Sequence, residues 1–169
     1  MYRILLISSL LFFYCAKESS QKNYEKIQNG DRIILSGEIS IENLYDEFPD
    51  WQKNAIAYMP DTAVISRLQN ITHDFSVEIF LGTWCSDSER EVPRFLKIWQ
   101  KANLNKKGKL YIYALDKNKE SKTGLTKLKN IEFVPTFIFY RDKEEIGRII
   151  EEPAELLEKD ISNIVLKNE

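Results

Sequence analysis

The sequence predicts an α/β fold, a mixed sheet covered by helices on both sides, and three observations lead there. Short apolar runs alternate with helical stretches in the order β-α-β-α-β-turn-β-α. The run from Ser76 to Gly82 is short, apolar and ends at a glycine, as a strand buried on both faces does. At 169 residues the chain buries roughly 70% of its unfolded surface, enough for a core without disulfide staples or a structural metal.

Each element follows from its pattern. Arg32 to Ile41 is rich in β-branched residues and predicts a strand or hairpin. From Ile41, the apolar positions Leu44, Tyr45, Phe48, Trp51, Ala55 and Ile56 recur at helical spacing, with Pro49 breaking or restarting the helix. Asp61 is placed to cap a helix whose buried face is Val64, Ile65, Leu68 and Ile71. After the Ser76–Gly82 strand, a helix carries Val92, Phe95, Leu96, Trp99 and Ala102 on one side. Lys109 to Leu115 predicts a second central strand, Ser121 to Lys129 a weaker helix, and Thr136 to Tyr140 a third strand. Arg141 to Lys143 turns into a fourth strand, Glu145 to Ile150. Pro153 opens a final helix with Leu156, Leu157, Ile161, Ile164 and Val165 inward.

Composition excludes several functions. The 24 basic and 26 acidic residues give a net charge of −2, whereas nucleic-acid binding needs a concentrated basic face. Two cysteines cannot build a disulfide scaffold, and one histidine leaves too few ligands for a zinc site. No cofactor is expected, and no glycine-rich phosphate loop occurs.

The N-terminus reads as a targeting segment. Arg3 precedes the apolar run Ile4–Tyr14, whose 11 residues rise about 16 Å as a helix, half a bilayer core. That is a signal peptide rather than a membrane span. Cys15, at the end of the run, resembles the acylated cysteine of bacterial lipoproteins, although Phe12 and Tyr14 depart from the usual residues before it. The alternative is an uncut signal anchor. The expected organisation is a signal peptide over 1–14, a polar tether over 15–30 and a folded domain over 31–169, divided into an N-terminal extension (31–70) and a core (71–169). The location expected is the cell envelope or periplasm, with a lipid anchor in the membrane.

The turn Gly82-Thr83-Trp84-Cys85-Ser86-Asp87-Ser88-Glu89 holds the chemistry. It joins a buried strand to a helix, so Cys85 lies at a helix N-terminus, where unpaired N–H groups and the positive dipole end favour a thiolate. Ser88, one turn on, is placed to donate a hydrogen bond to that sulfur. Asp87, Glu89 and Glu91 work against a thiolate, with Arg90 and Arg94 offsetting them. Taken alone, Cys85 also fits a small buried hydrophobe, and Ser86-x-x-Glu89 fits a plain capping box. His73, the only histidine, precedes the strand that ends near Cys85, about 20 Å or more away at 3.3 Å per residue. It is expected in an exposed loop, which removes a Cys–His nucleophile pair.

The stretch Val77–Pro93, with Trp84-Cys85 after an apolar strand and Pro93 eight residues beyond the cysteine, resembles the thioredoxin family. Leu115-Asp116-Lys117-Asn118 is similar to the end of that family's next strand, and Phe133-Val134-Pro135-Thr136 to its cis-proline motif. The resemblance covers roughly 64–166. It implies a three-layer α/β/α sandwich with a central mixed sheet, Pro135 beside Cys85, and Trp84, Val134 and Pro135 as the substrate-holding edge. Two departures stand out. Ser88 occupies the place of the family's second, resolving cysteine, and Ile79 that of its buried acid, with Glu78 pointing to the other face. A dithiol cycle within one chain is excluded.

The resulting expectation is a monothiol exchanger acting through Cys85, with an external resolving thiol and with exported protein thiols, disulfides or a small thiol as partners. The alternative is a non-catalytic binding module that keeps the groove without the redox cycle.

Overall fold

The computed structural model describes residues 23–121 and 123–167. The expected signal peptide and Cys15 lie outside them. Along the chain the elements are β1 (Tyr24–Asn29), β2 (Arg32–Glu38), α1 (Ile41–Glu47), α2 (Pro49–Ala57), α3 (Thr62–Leu68), β3 (Phe75–Leu81) and α4 (Ser86–Lys101). A single 3-10 turn (Leu104–Lys106), β4 (Gly108–Ala114), α5 (Leu125–Leu128), β5 (Thr136–Arg141), β6 (Glu144–Ile150) and α6 (Leu157–Val165) follow.

One mixed sheet joins the strands in the order β1-β2-β4-β3-β5-β6. β3 and β4 run parallel, joined by α4, and every other neighbouring pair is antiparallel. Alternation along the strands fixes the two faces. Val77, Ile79 and Leu81 of β3 share one face with Ile112, Phe137 and Phe139, packed against Leu44, Trp51, Leu68, Phe95 and Ile161 from α1–α4 and α6. Phe95 stacks on Phe137 with centroids 5.0 Å apart. Full burial of each such side chain contributes about 2–3 kcal/mol. The other face carries Phe80, Ile138 and Tyr140 under Leu115, Ile131, Val134 and Leu125 of α5. Helices thus cover both faces, but among the described residues five lie on one and a single short helix on the other.

The Asp61 cap agrees with the sequence, whereas β2 stops at Glu38 and Ser40 caps α1 instead of continuing the strand to Ile41. Ser40 accepts from the Asn43 N–H at the start of α1, and Asp61 from Ala63 and Val64 at the start of α3. Pro49 is the first residue of α2. Glu158 of α6 is buried and ties the N-terminal helices down, accepting from the Tyr58 hydroxyl (2.6 Å) and the Asp61 N–H (2.8 Å).

Four further details differ from the sequence reading. The polar tether expected to reach Gly30 is strand β1 from Tyr24 onward. Five of its six residues are exposed, so no apolar periodicity marks it, while buried Tyr24 donates its hydroxyl to Glu47. The weak helix at 121–129 shrinks to the single turn α5, because Gly124 before it is left-handed (φ 71°). Pro153 does not open α6. The Ala154 N–H goes to the Asp160 carboxylate, Leu156 is extended and exposed, and the helix starts at Leu157. His73 is half-buried rather than exposed, its Nε2 2.6 Å from the Arg141 guanidinium, at the sheet end opposite Cys85.

Two outcomes follow for stability. Gly37 has φ +128°, and a Cβ there would collide with the Asn23 carbonyl and the Tyr24 Cα. Gly37→Ala is expected to lower unfolding free energy by about 1–3 kcal/mol in urea titration. At high pH, burial pushes Tyr45 up to about 12. Burial, opposed by the Lys129 hydrogen bond and reinforced by the one to Glu78, does the same for Tyr140, also to about 12. The folded state favours the neutral phenols. Their contribution is therefore complete below pH about 10 and is lost as the pH climbs toward 12. A phenolate absorbance titration checks this: Tyr140→Phe should remove a component ionising near pH 12, and loss of a component near pH 10 would contradict it.

Candidate active site

The site forms where β3 stops. Leu81 is fully buried and its carbonyl accepts the Leu115 N–H (2.8 Å), so the sheet holds the chain up to this point. The chain then reverses in a tight turn closed by the Cys85 N–H on the Gly82 carbonyl (3.0 Å). Glycine at 82 lets the Trp84 indole lie across it, since a Cβ there would sit 2.7 Å from the ring and push it aside. The indole N–H donates to the Leu115 carbonyl (3.0 Å), and the ring packs against the smaller apolar cluster.

Cys85 is the N-cap residue of α4, with extended backbone (φ −100°, ψ 126°) and no capping hydrogen bond from its side chain. Its sulfur is only partly buried and its thiol donates to the Val134 carbonyl (3.1 Å). That carbonyl is brought in by register. β5 is antiparallel to β3 with Thr136 opposite Phe80, so the start of β5 faces the end of β3. The Val134–Pro135 peptide bond is cis, as the motif implies, and the Pro135 carbonyl accepts the Glu151 N–H (2.7 Å).

Cys85, Trp84, Val134 and Pro135 therefore come together as expected. Ser88 does not take the expected role. It is fully buried and its oxygen accepts the Gly82 N–H (3.1 Å), so it braces the turn, and no hydrogen bond among the described residues joins it to the Cys85 sulfur. The acids near the thiol are largely answered by arginine. Arg90 binds Asp87 (2.9 Å), Glu91 (2.6 Å) and Glu152 (2.9 Å), and Arg94 binds Glu91 (2.9 Å). The hydrogen bonds to Glu91, foremost, and to Asp87 outweigh burial and raise Arg90 above its ordinary value. Glu89 stays exposed.

Two neighbours were missed in the sequence. Phe133 is 47% exposed beside the cis peptide, with the Lys119 ammonium 5.7 Å from its ring centre. Thr83 reaches out of the turn to the Leu35 N–H (3.1 Å). An apolar residue before Val-Pro could have flagged Phe133. Nothing local flags Thr83, because its partner is 48 residues away.

A family model described as thioredoxin matches residues 45–162. Among solved structures, the chain is similar to oxidised mitochondrial thioredoxin 3 from Saccharomyces cerevisiae, at 23% identity over 65% of this chain and 98% of that one, TM-score 0.42. It is also similar to a protein of unknown function from Pseudomonas aeruginosa, at 17% identity over 76% and 86% of the two chains, TM-score 0.45. A mutant thioredoxin from Halobacterium salinarum follows at 13% identity over 63% and 83%, TM-score 0.37. No curated protein matches. The family match takes in the thiol turn, the crossover helix and the cis-proline edge, and the chain belongs to the thioredoxin family.

Proposed function

We propose that the protein carries out monothiol thiol–disulfide exchange through Cys85. One observation carries the reading: a partly exposed thiol at an uncapped helix N-terminus, 3.1 Å from the carbonyl that precedes a cis proline, with a buried serine in place of a second thiol. The Cys85 thiolate attacks one sulfur of a substrate disulfide. A bond forms between Cys85 and that sulfur, the substrate S–S bond breaks, and the departing sulfur takes up a proton as a thiol. A second thiolate, from the substrate or from a small external thiol, then attacks the substrate sulfur of the mixed disulfide and releases Cys85. The two steps together isomerise or exchange disulfides. Net reduction needs the external thiol as its source of electrons.

The Trp84 ring and the Val134–Pro135 edge flank the thiol, and an extended substrate segment lying along that edge would meet both. The proposal extends to location: an exported domain held at a bacterial membrane by lipid on Cys15, supported by the basic and apolar segment before that residue. Among the described residues no helix is long and apolar enough to cross a membrane.

Incubation with a glutathione-blocked peptide is expected to transfer the modification to Cys85, read by intact mass, and Cys85→Ser should abolish it. An unmodified wild-type protein would leave the groove as a binding surface without exchange. Ser88→Cys should permit an internal disulfide and, with an external dithiol such as dithiothreitol to reduce that disulfide after each round, add reductase turnover on protein disulfides, at the loss of the Gly82 brace, about 1 kcal/mol. Fatty-acid labelling of the expressed full chain should disappear in Cys15→Ser, and labelling that persists would overturn the anchor.

A further inference from the structure

The N-terminal hairpin extends past the sheet into which it is built. β2 is in register with β4 at only two positions, Gly37 opposite Ala114 and Glu38 opposite Tyr113. Because the pair is antiparallel, Arg32 to Ser36 continue beyond Ala114, where β4 has ended. β4 is parallel to β3, so the overhang lies at the end of the sheet where Cys85 sits.

Overhanging residues lose their ladder partners on the β4 side. Leu35 is fully buried, and a buried N–H without an acceptor is costly. Its acceptor is the Thr83 hydroxyl oxygen, 3.1 Å away in the middle of the thiol turn. That turn has three side-chain anchors: Ser88 on Gly82, Trp84 on Leu115, and Thr83 on Leu35. The first two belong to the thioredoxin-like core, and the third comes from the extension.

We propose that Thr83 is a positioning residue for Cys85 and that the β1–β2 hairpin, through it, is a working part of the thiol site rather than added packing. Thr83 lies two residues before Cys85, so its hydroxyl bond fixes the peptide that carries Trp84 and the sulfur toward the Val134 carbonyl. The inference rests on the exchange reading only in that Cys85 is the reacting atom.

The test compares Thr83→Val, which keeps the shape and loses the acceptor, with Thr83→Ser, which keeps the acceptor, in the full chain. Three quantities are read: hydrogen exchange at the Leu35 amide, iodoacetamide alkylation of Cys85, and transfer from a glutathione-blocked peptide. In Thr83→Val the Leu35 amide should exchange at least tenfold faster. Alkylation should change and transfer kcat should fall about tenfold with KM little altered, the size of one lost hydrogen bond. Thr83→Ser should restore all three to within about twofold. A folded Thr83→Val with wild-type Cys85 rates overturns the proposal, as does a serine variant that behaves like valine. Should Thr83→Val not fold, Thr83→Ala is read in its place, and Thr83→Ser must still retain wild-type rates. If the wild type transfers nothing, exchange has failed as the function, while alkylation, which needs no disulfide substrate, still decides on Thr83.

Discussion

β3 has neighbours on both sides, and the rest of the molecule depends on how it pairs with them. It runs parallel to β4 and antiparallel to β5, with Leu81 opposite Ala114 and Phe80 opposite Thr136. The parallel partner requires a crossover, which α4 supplies, and the crossover begins at the thiol turn. The antiparallel partner begins where β3 ends, so the residues before Thr136 must lie against the residues after Leu81. A cysteine at a helix start and a carbonyl before a proline, 49 residues apart in sequence, meet at 3.1 Å for that reason. A register slip of one residue would exchange the two faces of β5 and move the Phe137 and Phe139 rings from the main core to the more thinly covered face.

The two faces of the sheet perform different work. Among the described residues, five helices and most of the apolar core lie on one side. The other side is closed by Leu115, Ile131, Val134 and one helical turn, and this thinner cover includes the residues that flank the thiol. Where apolar cover runs out, a polar cluster takes over. Glu78 accepts from Tyr140 (2.9 Å) and pairs with Lys129 (3.0 Å), whose ammonium also sits 4.4 Å over the Tyr140 ring. Burial works against the charge on Lys129, but the hydrogen bonds to Tyr140 and Glu78 outweigh it and hold the ammonium above its usual range.

Ser88 serves the architecture of the turn. The hydroxyl in that position occupies the first turn of α4, lies buried, and uses its oxygen to hold Gly82. A thiol accepts hydrogen bonds more weakly than a hydroxyl, so serine here favours a rigid turn. The turn is consequently braced from three directions while the sulfur itself stays partly open.

Much of this was legible in the sequence, because it depends on neighbours along the chain. The apolar runs set the strands, Asp61 capped its helix, Pro49 restarted another, and the pairing of Trp84-Cys85 with Val134-Pro135 marked the site. Features with weak local signals were misread. β1 is an exposed edge strand whose polar residues look like a linker, and the start of α6 is displaced from Pro153 by a carboxylate reaching back to Ala154. Only the tertiary structure decided what the side chains at the site do. Ser88 braces Gly82 instead of meeting the sulfur, and Thr83 finds Leu35 because β2 outruns β4. Sequence patterning records which face of an element is apolar, whereas a hydrogen bond between two turns depends on strand length and register, which the chain acquires only when the sheet is assembled.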